Sequence, residues 1–95
     1  MLMKKLIVQL PRGLQARHTA LFVHKVAAFK SEVILSKDGK TASGKDIMRI
    51  MDLVVREGDE ITLLVDGCDE QVAMETLKNI FQAFYKYNKT NVYTR

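Results

Sequence analysis

The chain has 95 residues, a net charge of +4 and one cysteine, which suits a single domain and excludes an intramolecular disulfide or a cysteine-based metal cluster. Its apolar fraction of 47% and charged fraction of 27% are ordinary for a folded globular protein. No apolar run approaches the ~20 residues that a membrane-spanning helix needs.

The first third of the chain changes from a strand pattern to a helix pattern. Alternate apolar residues share one face of Lys4–Leu10, which predicts a strand that Pro11-Arg12-Gly13 ends. Helical spacing follows in Arg17–Phe29 and predicts a helix with one buried face. The residues predicted to form that face are Leu21, Phe22, Val26 and Phe29.

The rest of the chain predicts, in order, strands Glu32–Lys37 and Lys40–Ser43, helix Asp46–Val54, strand Glu60–Asp66 and a last helix. The dipeptide Asp38-Gly39 between the first two strands is typical of a tight hairpin turn. Asp46 and Asp69 each precede a helix and are predicted to cap it. The buried face of the last helix is predicted to consist of Ala73, Leu77, Ile80 and Phe84.

This order, β-α-β-β-α-β-α, predicts an α+β open-faced two-layer sandwich, with three helices on one face of a four-stranded antiparallel sheet. Residues 1–87 are expected to form the domain and residues 88–95 a polar C-terminal tail. Ile7, Ile34 and Leu64 should point to the uncovered face of the sheet. They are either a contact for a homodimer or ordinary surface apolar residues.

Two segments carry a resemblance to a known family. The segment 13–20, Gly-Leu-Gln-Ala-Arg-His-Thr-Ala, is similar to the active-site segment of HPr, the phosphocarrier of the bacterial sugar phosphotransferase system. The segment 45–53 is similar to the regulatory helix of that family, and the spelling Gly-Leu-Gln-Ala-Arg resembles Crh, the catabolite-repression paralogue of HPr, more closely still. The resemblance implies an HPr-like fold and a role in carbon catabolite control, without enzymatic activity of its own and without a cofactor.

Three positions depart from the pattern that the resemblance implies. Gln15 stands where the family's phosphocarriers have the phosphorylated histidine, and Asp46 stands where they have the regulatory serine that HPr kinase phosphorylates. His18 replaces a proline that is usual in the first turn of the helix. The amide nitrogen of a glutamine is not nucleophilic, so phosphoryl transfer through position 15 is excluded.

What remains at the start of this helix is a candidate anion-binding and partner-binding site. Free N–H groups at a helix start attract negative charge, and the guanidinium of Arg17 suits a carboxylate or a phosphate. The alternative is that Arg17 is an ordinary surface arginine. His18 lies in the same turn and gives a second hypothesis, a phosphocarrier that uses this histidine instead.

The segment 46–54 is expected to present an apolar docking surface. It is apolar almost all round, so some of its side chains must be exposed, and Ile47, Met48 and Met51 are the predicted contacts. Asp46 either only caps the helix or also imitates a phosphoserine in part. By analogy with the family, the partner is a catabolite-control repressor of the LacI type, with weaker contacts to enzyme I or HPr kinase.

The remaining predictions concern charge, cysteine and location. The positive charge is spread along the chain without an aromatic-rich strand of the kind that stacks on RNA, so a basic nucleic-acid-binding module is only a third hypothesis. No metal site is predicted, and Cys68 is expected to pack as a small apolar residue. Because no long apolar stretch follows the first lysines, an export signal is not predicted and a cytoplasmic location without membrane contact is expected.

Overall fold

The computed structural model describes residues 1–82 of the chain. Its elements, in chain order, are β1 (Leu2–Ile7), α1 (Ala16–Ala27), β2 (Glu32–Lys37), β3 (Lys40–Ser43), α2 (Ile47–Asp52), β4 (Glu60–Asp66) and α3 (Glu70–Phe81). The predicted domain boundary at residue 87, the tail 88–95 and the predicted core residue Phe84 lie outside the described residues. No helix in the described part of the chain is long and apolar enough to cross a membrane.

The four strands form one antiparallel sheet in the order β1-β4-β2-β3. The first strand is therefore an edge strand that pairs with the last one, with Leu2 opposite Val65 and Ile7 opposite Glu60. Within residues 1–82, three helices lie on one face of this sheet, which confirms the predicted open-faced α+β sandwich.

The core lies between the sheet and the helices, and its largest fully buried side chains are Phe22 of α1 and Phe81 of α3. Their ring centroids are 5.5 Å apart with a tilt of 59°, an arrangement that aromatic pairs prefer. The prediction for Leu21 was wrong, since 41% of its surface is exposed. Successive helical residues are about 100° apart, so the buried face follows Thr19, Phe22 and Val26, and Leu21 lies beside it.

The sheet's uncovered face carries the three apolar residues predicted for it. Ile7 is exposed, while Ile34 and Leu64 lie opposite each other on β2 and β4 and are half-buried. The hairpin between β2 and β3 is also confirmed. Asp38 and Gly39 have φ values of 52° and 81°, as a two-residue turn of this kind requires.

Asp69 occupies the position before α3, but the prediction that its side chain caps this helix was wrong. Its carboxylate instead accepts hydrogen bonds from the Lys30 N–H at 2.8 Å and from the N–H and hydroxyl of Ser31. These bonds, from the Ser31 hydroxyl above all, lower the pKa of Asp69. The carboxylate thus ties the loop between α1 and β2 to the start of α3.

Candidate partner-binding surface

Helix α1 begins at the first of the two motifs. Gln15 is the N-cap residue, with extended backbone angles and an exposed side chain that forms no capping hydrogen bond. Its carbonyl oxygen accepts the Thr19 N–H at 2.8 Å, so the helix starts here. Arg17 is exposed in the first turn, which contains no acidic residue, and it forms no ion pair with any of residues 1–82.

The segment before α1 packs directly against the segment after α2. The Leu14 N–H donates a hydrogen bond of 3.0 Å to the Val55 carbonyl oxygen. Gly13 has a φ of 68°, and a Cβ added to it would lie 2.6 Å from the Arg56 Cα and closer still to the Val55 carbonyl oxygen. Only glycine permits this approach, and the approach places the start of α1 beside the end of α2.

Helix α2 presents an apolar outer surface, as the sequence predicted. Ile50 is fully buried, whereas Met48 is 70% exposed and Ile47 and Met51 are also exposed. Val54 follows the helix and is 51% exposed. We call the predicted residues Gln15, Arg17, Asp46, Ile47, Met48 and Met51, together with the newly found Val54, the partner surface.

Asp46 caps α2, which confirms the prediction made from the sequence. One of its carboxylate oxygens accepts the Arg49 N–H at 3.2 Å. Gly13 and Leu14 contact the segment after α2, whereas Asp46 precedes the first residue of this six-residue helix, which is about 9 Å long. Within residues 1–82, no hydrogen bond or ion pair joins Asp46 to Gln15 or Arg17.

His18 lies on the side of α1 that is next to α3. It lines a shallow groove between α1 and α3, together with Leu21, Lys25, Thr76, Asn79 and Ile80. Its Nδ1 atom is buried and has no hydrogen-bond partner among the described residues. One ring nitrogen of this histidine is therefore closed to an incoming phosphoryl group.

Two further predictions concern metals and Cys68. Within residues 1–82, no cluster of three or more His, Cys, Asp and Glu residues is arranged to hold a metal ion. Cys68 is exposed, so the prediction that it packs as a small apolar residue was wrong. It lies in the short turn between β4 and α3, outside both elements.

Comparisons with known proteins identify the family of this chain. The family model described as "PTS HPr component phosphorylation site" matches residues 2–83. The chain belongs to the HPr family. The HPr-like protein Crh of Bacillus subtilis is 49% identical to it over 77 residues, which cover 81% of this chain and 91% of that protein.

Solved structures of the HPr family have the same fold. The phosphocarrier protein HPr of Bacillus anthracis superimposes with a TM-score of 0.82 at 41% identity, covering 85% of this chain and 96% of that one. The crystal structure of Bacillus subtilis Crh gives a TM-score of 0.70 at 47% identity, covering 87% and 95%, and is described as a dimer with a swapped domain. The HPr family consists of phosphocarrier and regulatory proteins, so membership supports a role in phosphotransferase or catabolite control.

Three residues of this region were not singled out from the sequence. Val54 has a φ of 52°, and its carbonyl oxygen accepts a hydrogen bond from Lys37 Nζ. The Val55 carbonyl oxygen accepts the hydrogen bond from Leu14. No local signal predicts a left-handed valine, because β-branched residues disfavour that conformation. Val55 is buried in the structure, which was not predicted from the sequence.

Proposed function

We propose that this HPr-family chain is a regulatory adaptor in carbon catabolite control that lacks the phosphorylatable histidine and serine and acts in the cytoplasm by binding proteins. The observation that carries the proposal is the partner surface itself. Its apolar side chains are exposed beside the start of α1, while Gln15 there offers an amide that cannot relay phosphate.

The α1 half of the partner surface suits a negatively charged group. The N–H groups in the first turn of a helix carry partial positive charge, and Arg17 adds a bidentate donor beside them. Gln15 contributes a neutral amide that donates and accepts hydrogen bonds. A carboxylate of the partner can accept hydrogen bonds from these donors, and this contact does not need a phosphoryl group on this chain.

The α2 half supplies apolar contact and one negative charge. Met48 and Met51 are unbranched and polarizable, which suits a surface that adapts to a partner. Asp46 uses one carboxylate oxygen to cap the helix. By the resemblance to the family, its single negative charge stands at the position of the regulatory serine. A phosphoserine carries about −1.5 to −2 charges and three acceptor oxygens, so the imitation is partial.

The proposed partner is a catabolite-control repressor of the LacI type, with enzyme I and HPr kinase as weaker partners. A homodimer is a further proposed assembly, with the uncovered sheet face around Ile34 and Leu64 as its contact. We expect no direct contact with nucleic acid. Nucleic-acid binding would show a salt dependence of about 0.7–0.9 logarithmic units per phosphate contact.

The first test is the intact mass of the chain after incubation with enzyme I and phosphoenolpyruvate. We expect no gain for the wild type and a gain of one phosphoryl group for Gln15→His, which serves as the positive control for docking. A gain by the wild type that disappears in His18→Ala would replace the adaptor with a phosphocarrier that uses His18. The buried Nδ1 of this histidine favours the adaptor.

The second test measures binding to the repressor by titration calorimetry. Met48→Ser is expected to weaken binding about tenfold, because a largely exposed methionine contributes to the contact and little to the core. Val72→Ser is the matched control, since Val72 is also exposed but lies on α3. Equal affinities for the two variants would contradict the proposed surface.

A further inference from the structure

Lys37, at the end of β2, contacts the loop that follows α2. Its Nζ donates a hydrogen bond of 2.6 Å to the Val54 carbonyl oxygen and lies 2.9 Å from Oδ2 of Asp59. The same carboxylate oxygen accepts the Arg56 N–H at 2.8 Å. The Lys37 side chain is only 16% exposed, so this one ammonium group joins the sheet to both ends of the loop 54–59.

The loop needs such a support because it begins with a strained residue. Val54 has a φ of 52°, and a β-branched residue in this left-handed region persists only where its surroundings hold it. Lys37 holds its carbonyl oxygen from one side. On the other side the buried Val55 holds the chain through the hydrogen bond from Leu14, the residue before Gln15.

We propose that Lys37 is a positioning residue that fixes the two halves of the partner surface relative to each other through Val54 and Val55. This inference rests on the proposed function, because it assigns a role toward the same partner. Lys37 does not touch the partner itself. It sets where α2 ends, and hence how Met51 and Val54 are placed beside Gln15. The hydrogen bond with Lys37 is also the first cause of the lowered pKa of Asp59.

Lys37→Met tests this role, because methionine keeps most of the aliphatic stem and removes the ammonium group. The first measurement is amide hydrogen exchange of Leu14, whose N–H bonds to Val55. Ser31 is the internal reference, since its N–H bonds to Asp69 at the other end of β2. We expect exchange at Leu14 to accelerate at least tenfold relative to Ser31, with Lys37→Arg remaining within threefold of the wild type.

Val54→Gly separates positioning from a general loss of stability. Glycine adopts a positive φ without strain, so the loop no longer needs Lys37 to hold it. In this background, Lys37→Met is expected to change the Leu14 exchange rate by less than threefold. The same tenfold acceleration there, or equal acceleration at Leu14 and Ser31 in the single variant, would overturn the proposal.

The last measurement is the repressor affinity of the folded variants. Lys37→Met is expected to weaken binding about fivefold, whereas Lys37→Arg is expected to bind the repressor as the wild type does. Unchanged affinity with a faster Leu14 exchange would overturn the role toward the partner. A wild-type chain that does not bind the repressor would instead overturn the proposed function, while the exchange rates still decide whether Lys37 holds the surface together.

Discussion

Gly13→Ala tests whether the close contact between the two motif segments stabilises the fold. Gly13 has a φ of 68°, and alanine in the left-handed region costs about 1–2 kcal/mol. The added Cβ would also overlap the backbone of Val55 and Arg56. Overpacking of this kind costs about 1–3 kcal/mol, and losing the bond from Leu14 to Val55 adds about 1 kcal/mol. The expected total is about 3–6 kcal/mol.

Gly39→Ala is the matched control. Gly39 has a φ of 81°, but no atom beyond its two chain neighbours lies within 4 Å of the position that its Cβ would take. It therefore bears the backbone cost alone, about 1–2 kcal/mol. The difference between the two variants isolates the contact of Gly13 with the segment after α2.

Urea unfolding followed by circular dichroism measures both variants. With a slope of about 1–3 kcal/mol per molar urea, a difference of about 2 kcal/mol separates their midpoints by about 1 M. Equal midpoints would refute the reasoning, because the contact would then contribute nothing beyond backbone strain. A larger loss for Gly39→Ala would refute it as well.

Three further predictions concern the core residue Phe22, the carboxylate of Asp69 and the exposed Met48. Phe22→Ala is expected to lower the free energy of unfolding by about 3–5 kcal/mol in the same assay, because Phe22 is fully buried against Phe81; a loss under 1 kcal/mol would contradict that packing. The pKa of Asp69 is lower in the folded state than in the unfolded state, so its ionised carboxylate stabilises the fold. This contribution is fully present above the unfolded-state pKa of about 3.9 and is lost as the pH falls through the lower folded-state pKa. The free energy of unfolding should therefore decrease below about pH 4, and less steeply for Asp69→Asn, in urea titrations at each pH. Met48→Ser should change that free energy by less than about 0.5 kcal/mol, since Met48 is largely exposed, and a greater loss would place Met48 in the core.

The features that could be predicted from the sequence are those that depend on residues close together in the chain. The bounds of β2, β3 and β4 follow from alternation between turn signals and agree with the structure. The cap by Asp46 was also predictable, because donor and acceptor lie three residues apart. Such features are set by local geometry, which residue order alone specifies.

What the sequence could not predict depends on distant contacts. Aspartate is a residue type that often caps helices, but the carboxylate of Asp69 instead accepts hydrogen bonds from the N–H and hydroxyl of Ser31, which is 38 residues away. The left-handed Val54 opposes its own backbone preference and is held by Lys37, 17 residues away. Every member of the proposed partner surface except Val54 was named from the sequence, whereas the hydrogen bond between Leu14 and Val55 that joins its halves was not.

The sheet order has a consequence for the synthesis of the chain. Of the strands in residues 1–82, β1 leaves the ribosome first, yet its pairing partner is β4, the last of them to be made. The β2–β3 hairpin closes locally and forms early, while contacts of long sequence separation form slowly. Until Asp66 has emerged, β1 is a strand without a partner. A nascent chain is at that stage most open to pairing with a strand of another copy.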